Sequence, residues 1–182
     1  MRRRCVVDVR PPLIMRLTDL LSPERVGIRH ANGREFGEFD KHKAIALLAS
    51  MFGEHDGVTP EEIERVLLER EALQSTGIGE GVAIPHGALP QLKEQVAALL
   101  IVPDGVEFQA IDDAKVSILF GVIGPKRATG EHLKTLARVS RLLRSKEFRG
   151  RLVGASSAMN VFELIKASEP EPREETEKKG GP

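Results

Sequence analysis

The sequence predicts an α/β fold, a single domain in which a β-sheet is flanked by helices on both faces. Three observations carry this. The runs "GVAIP", "VAALLIV" and "VSILFGVI" are short, rich in Val and Ile, and bounded by Gly, Pro or charge, as strands buried on both sides are. Segments with apolar residues at helical spacing lie before and after them, several opened by capping residues. The chain has 182 residues, 41% of them hydrophobic, enough for one substantial core and too few for two ordinary domains.

Residues 1–14 form an N-terminal extension. "MRRRC" has the charge of a signal-peptide start, but Asp8, Arg10 and two prolines break up the next ten residues before a useful apolar run forms. Met15 opens a more regular segment, and the domain is expected to span residues 15–167. "LTDLL" reads as a helical turn and "RVGIR" as a first strand. From Asp40, a capping residue, "DKHKAIALLASMFGEH" places Ile45, Leu47, Leu48, Met51 and Phe52 on one helix face. In "TPEEIERVLLERE", Thr59 as N-cap, Pro60 at the first helical position and Glu62 form a capping box, with Ile63, Val66 and Leu67 as the buried stripe. After the three strands come the helices "EHLKTLARVSRLLRS", "KEFRGRLV" and, behind a Ser157 cap, "AMNVFELIKA". Residues 168–182, "SEPEPREETEKKGGP", are charged, proline-rich and almost without apolar residues, a disordered tail.

Composition excludes several functions. Lys plus Arg and Asp plus Glu both number 27, so no net positive field draws the chain to nucleic acid or an anionic membrane. Trp and Tyr are absent and the seven Phe are scattered, which leaves no base-stacking platform. Cys5 is the sole cysteine, so neither an internal disulfide nor a multi-cysteine zinc site is available, and a reducing cytoplasm is the natural setting. No stretch has the length of a membrane span.

The chemistry concentrates in "STGIGEGVAIPHG". His86 comes just after the strand "GVAI" and is expected on a loop, exposed. Pro85 restricts the backbone on its N-terminal side, and Gly87 permits a geometry other residues resist. A neutral imidazole held stiffly beside backbone amides suits a nucleophile toward phosphorus. One ring nitrogen must then be free, so the other should be pinned, with a backbone carbonyl as the expected partner. His30, His42 and His55 lie among charged or loop residues and read as solvated surface groups. His132 lies in the first turn of a helix after "VSILFGVI"; it could cap that helix, face water, or meet His86 at the sheet edge, where the helix N-terminus would favour a phosphoryl group.

"LLEREALQSTGIGEGVAIPHG", continued by "GVEFQAIDDAKVSILFGVIGPKRATGEHLKTLARVSRLL", closely resembles the signature of enzyme IIA domains of the fructose/mannitol type (type 2) in the bacterial phosphoenolpyruvate-dependent phosphotransferase system, especially their nitrogen-regulatory branch. The resemblance covers about residues 15–167. It implies a three-layer α/β domain with a mixed sheet, and a phosphotransferase that works as a carrier. No metal or organic cofactor is implied, because the phosphate arrives activated on another protein. His86 matches the phosphoacceptor, His132 the second active-site histidine and Arg70 the arginine beside the site; from the residues alone, Arg70 could equally form an ion pair with Glu69 or Glu71. Ser75 and Thr76 match the motif's polar pair, which could bond the phosphate or shape the turn, and Gly87 is a backbone device. The implied donor is a small histidine phosphocarrier protein, bound through a shallow apolar patch expected to include Ile78, Val82 and Leu89. The implied recipients are regulatory targets or, in the alternative sugar-uptake role, a IIB domain. The nitrogen-type motif and the lack of a fused IIB or IIC portion in this sequence favour regulation.

Overall fold

The two longest apolar runs pair with each other at the centre of the sheet. In the computed structural model, which describes residues 16–31 and 39–169, β5 (Val96–Val106) and β6 (Val116–Pro125) are antiparallel, with Leu100 opposite Leu119 and Ile101 opposite Ile118. β1 (Leu21–Ile28) joins the far side of β5 in parallel. On the other side of β6 run β3 (Val82–Ala83) and β4 (His86–Leu89), both parallel to it, and β2 (Gly77–Gly79) is antiparallel to β3. The order is β1-β5-β6-β3-β2, with β4 also on β6, so the sheet is mixed.

Successive residues of β5 and β6 point to opposite faces, and both faces are covered, which is why these strands read as continuous apolar runs rather than alternating ones. On one face, Ala98, Leu100, Leu119 and Ile123 pack under α2 (Lys41–Phe52) and α3 (Pro60–Leu73), which contribute Ile45, Leu48, Phe52, Ile63 and Leu67. On the other, Leu99, Ile101, Phe120 and Val122 meet α1 (Leu17–Leu20), α4 (Thr129–Leu142), α5 (Lys146–Val153) and α6 (Ala158–Ser168), through residues such as Val139, Leu152, Val161 and Ile165. The expected three-layer architecture is the one observed.

Local signals set the helix boundaries. The Asp40 side chain accepts from Lys43 N at 2.9 Å, Thr59 and Glu62 form their reciprocal capping box, and the Ser157 hydroxyl accepts from Asn160 N. α2 stops at Phe52, the last residue of its apolar pattern, because Gly53 takes φ 68°. Ser168 and Glu169 correct the reading of a tail beginning at 168. Ser168 closes α6, and the Glu169 carboxylate accepts from Leu17 N and from Thr18 N and Oγ1, tying the start of α1 to the end of α6. The extension at 1–14 and the rest of the tail lie outside the described residues.

One close approach yields a stability prediction. A Cβ on Gly121 of β6 would lie 2.9 Å from Leu48 Cδ2 and 3.0 Å from Phe52 Cζ. Gly121→Val therefore overpacks the α2 face, at a cost of about 1–3 kcal/mol. Chemical denaturation should show a lower midpoint with an unchanged slope.

Candidate functional site

The site grows from an interruption in one edge of the sheet. β3 and β4 lie end to end along β6, Val82 opposite Ile118 and His86 opposite Val122. Between them Pro85 has no N–H to give the ladder, although its carbonyl still accepts from Val122 N at 3.0 Å. His86 is therefore the first residue of a strand and half-buried, not an exposed loop residue as its sequence context suggested. "HGAL" carries no strand periodicity; only its pairing with β6 makes it one.

Alternation along β4 sends His86 to the α4 face and Gly87 to the α3 face. A Cβ on Gly87 would lie 2.5 Å from Val66 Cγ1. Gly87 is thus required for space, and the positive φ that its sequence context suggested is absent.

The His86 ring is held at both nitrogens. Nδ1 lies 2.8 Å from the Ile84 carbonyl oxygen, which can only accept, so Nδ1 carries the proton. The expected pinning by a backbone carbonyl is observed. Nε2 is then the lone-pair nitrogen, and Arg70 Nε donates to it at 3.2 Å. Arg70 stands near the end of α3, its guanidinium also bonded through Nη1 to the Gln74 carbonyl at 2.9 Å. Its alternative acidic partners are engaged elsewhere: Glu69 pairs with Arg65 and Glu71 with Lys41. His132 comes from the first turn of α4, its ring centroid 5.9 Å from that of His86 and tilted by 50°.

Both imidazoles are biased toward the neutral form. Burial is the main cause of the lowered His86 pKa; the Ile84 carbonyl opposes it, the Arg70 charge adds to it and Glu71 opposes it. Burial also dominates for His132, assisted by repulsion from His86. NMR titration should give both midpoints below the ordinary 6.5, with the His132 midpoint rising in His86→Ala as that repulsion is removed. Because protonation is disfavoured in the folded chain, the unfolded chain takes up these protons first, and stability should decline as pH falls through 6.5 toward the folded values.

Ser75 and Thr76 turn into the protein. Ser75 Oγ donates to the Phe108 carbonyl and accepts from Gly77 N. Thr76 is buried, and its N–H and hydroxyl both donate to Glu71 Oε2. Glu71 in turn pairs through Oε1 with Lys41 Nζ at 2.7 Å. Burial alone would raise the Glu71 carboxyl, but the bonds from Lys41, Thr76 and Ser75 together hold it below the ordinary glutamate value.

Thr76 O accepts from Ile84 N, so an ion pair followed by hydrogen bonds links Lys41 to the residue whose carbonyl orients His86. Sequence reasoning missed Lys41 and Glu71. Glu71 left a signal, since it continues the buried stripe of α3 after Ile63 and Leu67, where a carboxylate needs a partner. Lys41 left none, because only tertiary packing brings α2 to that point.

The expected apolar patch needs correction. Val82 and Leu89 are 1% and 3% exposed and belong to the core, whereas Ile78 is 47% exposed. Leu73, 83% exposed, lines a groove with Arg70, Gly87, Pro90 and Lys126 and supplies apolar surface beside the site. His30 and His42 are exposed as expected, but His55 is half-buried with Nε2 enclosed. No helix among the described residues is long and apolar enough to cross a membrane.

Residues 38–168 match the family described as "Phosphoenolpyruvate-dependent sugar phosphotransferase system, EIIA 2". A nitrogen regulatory protein of Bradyrhizobium diazoefficiens is 32% identical over 152 residues, 83% of this chain and 95% of that protein. The crystal structure of nitrogen regulatory protein IIA-Ntr from Neisseria meningitidis superposes with a TM-score of 0.72 at 29% identity, covering 82% of this chain and 98% of that one. A fructose-specific EIIABC component of Bacillus subtilis is 26% identical over 151 residues, 83% of this chain and 23% of that protein. By the span of the family match and the identity to a relative covered almost end to end, the chain belongs to the EIIA type 2 family of the phosphoenolpyruvate-dependent sugar phosphotransferase system.

Proposed function

We propose that the chain is a histidine phosphocarrier of this system, that His86 Nε2 is its phosphoacceptor, and that the two states of His86 make it a regulatory switch of the nitrogen type. One observation carries the assignment: the proton of His86 is committed to the Ile84 carbonyl, leaving the Nε2 lone pair for phosphorus. The donor is a protein carrying a phosphohistidine, and a cytoplasmic location is inferred from that partner. Nε2 attacks phosphorus as the donor's P–N bond breaks, and the bonding pair stays on the donor's ring, which leaves as neutral imidazole. The new N-phosphoryl ring on His86 keeps its Nδ1 proton and becomes cationic, a charge that the Ile84 carbonyl stabilises. No proton has to move. Both ends are phosphoramidates, so the protein supplies orientation and charge stabilisation rather than driving force. Arg70 leaves Nε2 as phosphorus arrives and meets the phosphoryl oxygens, while His132 contacts them from α4.

The test is intact-protein mass after incubation with phosphoenolpyruvate, the system's first enzyme and a histidine phosphocarrier protein. Acid-labile addition of one phosphoryl group, lost in His86→Ala, supports the carrier reading; no addition from a donor proven on another acceptor overturns it. The alternative sugar-specific role is favoured by fructose-specific relatives that are less similar or match less of the chain than the nitrogen regulatory proteins do. Transfer of the label onward to the cysteine of a fructose IIB domain at a rate matching a sugar IIA would support that role in place of regulation.

A further inference from the structure

A second polar side chain lies beside His132 with its hydrogen bonds unmade. Gln95, just before β5, is 6% exposed, and neither its amide oxygen nor its amide nitrogen has a hydrogen-bond partner among the described residues. His132 Nδ1 is enclosed and unpartnered in the same way. The two groups meet over Gly124 of β6, where a Cβ would lie 2.8 Å from Gln95 Cγ and 3.4 Å from His132 Nδ1. Glycine at this position opens a slot on the α4 face, filled from one side by the imidazole and from the other by the glutamine stem. Buried polar groups are paired as a rule, and leaving one unpaired is costly. Here two groups packed against the same glycine each lack the partner that the other can provide.

We propose that Gln95 is a positioning residue for the second histidine: its amide N–H donates to His132 Nδ1 and fixes the neutral tautomer that carries its proton on Nε2. The inference rests on the phosphocarrier reading and deepens it. The direction of the bond is set by the charge to be met. If the Gln95 oxygen instead accepted from Nδ1–H, His132 Nε2 would present a lone pair to phosphoryl oxygens and repel them. With Nδ1 accepting, Nε2–H donates to them. The two histidines then use opposite tautomers, His86 with its proton on Nδ1 because Nε2 must attack phosphorus, His132 with its proton on Nε2 because that nitrogen must bind oxygen.

Long-range 1H–15N correlation spectra of the labelled full-length chain read each histidine's tautomer without any donor protein. In the wild type, His86 should be Nδ1–H and His132 Nε2–H. Gln95→Met, unbranched and of similar length, should leave His132 as a mixture of tautomers, keep His86 unchanged as a control on the fold, and slow phosphoryl uptake on the order of tenfold. Gln95→Leu serves the same purpose if the methionine disturbs packing. Gln95→Glu, whose carboxylate only accepts, should drive His132 to Nδ1–H and fail to restore the rate. A wild-type His132 found as Nδ1–H, or an Nε2–H tautomer equally populated in wild type and Gln95→Met, overturns the proposal. If the wild type takes up no phosphoryl group, the function reading fails, while the tautomer comparison still decides the role of Gln95.

Discussion

Arg70→Met should lower the rate of phosphoryl uptake by His86 about 10²- to 10³-fold, the usual effect of removing one preorganised donor from a site of developing charge. The guanidinium sits 3.2 Å from the attacking nitrogen, so it needs only a short displacement to reach oxygens on phosphorus bonded there. Methionine keeps much of the stem and removes the charge. Arg70→Lys should recover the rate only in part, because a point charge cannot hold the Gln74 carbonyl and two phosphoryl oxygens with one fixed fork. Rapid-quench measurement of single-turnover transfer at saturating donor separates this from weaker docking. A rate within a few-fold of wild type in Arg70→Met would show that the arginine is there for the helix end and not for the phosphate.

Glu71→Ala should give the largest loss of stability among single changes near the site. It removes the carboxylate from the ammonium of Lys41, whose side chain is only 15% exposed and which keeps only the neutral Gln109 amide oxygen and the Phe108 ring as partners, and leaves the N–H and hydroxyl of buried Thr76 without their acceptor. Breaking such a pair from one side costs about 3–5 kcal/mol. For a domain of this size that lowers the melting temperature by about 10 °C. Replacing both partners, Lys41→Met with Glu71→Leu, should recover a large part of the loss because no unpaired charge remains. Phosphoryl uptake should stay impaired in the double variant, since Thr76 no longer anchors the turn that holds Ile84.

The wild type carries a related pH dependence. The Glu71 carboxyl is held below its ordinary 4.5 in the folded chain. Its contribution is therefore complete above that value and disappears as pH falls through the folded pKa. Thermal melts across the acid range, down through the folded pKa, should show that loss, and it should be absent from the double variant.

Much of this molecule is legible without coordinates. The capping box at Thr59 and Glu62, the caps at Asp40 and Ser157, and the Val- and Ile-rich runs of β5 and β6 are local in origin, and the structure keeps them. Local signals survive folding because they act within a few residues. The residues of "STGIGEGVAIPHG" and the register of Arg70 and His132 also pointed to the family, through a resemblance that spacing alone would not have given, and the structure brings Arg70 and His132 to His86. Tertiary structure decided the rest. β4 exists because β6 is there to pair with it, so His86 could only look like a loop residue in the sequence. Val82 and Leu89 read as surface near a site, yet sheet pairing turns them into the core. Lys41 and Gln95 are remote in sequence from the groups they serve, and their roles come from burial, which makes a polar atom's partner matter and which no local pattern encodes. The sequence by itself determined the capped helices, the two central strands and, through the resemblance it carries, the family. Only the packed sheet decided which nitrogen of His86 is free, because that depends on a carbonyl and a guanidinium that long-range contacts bring to the ring.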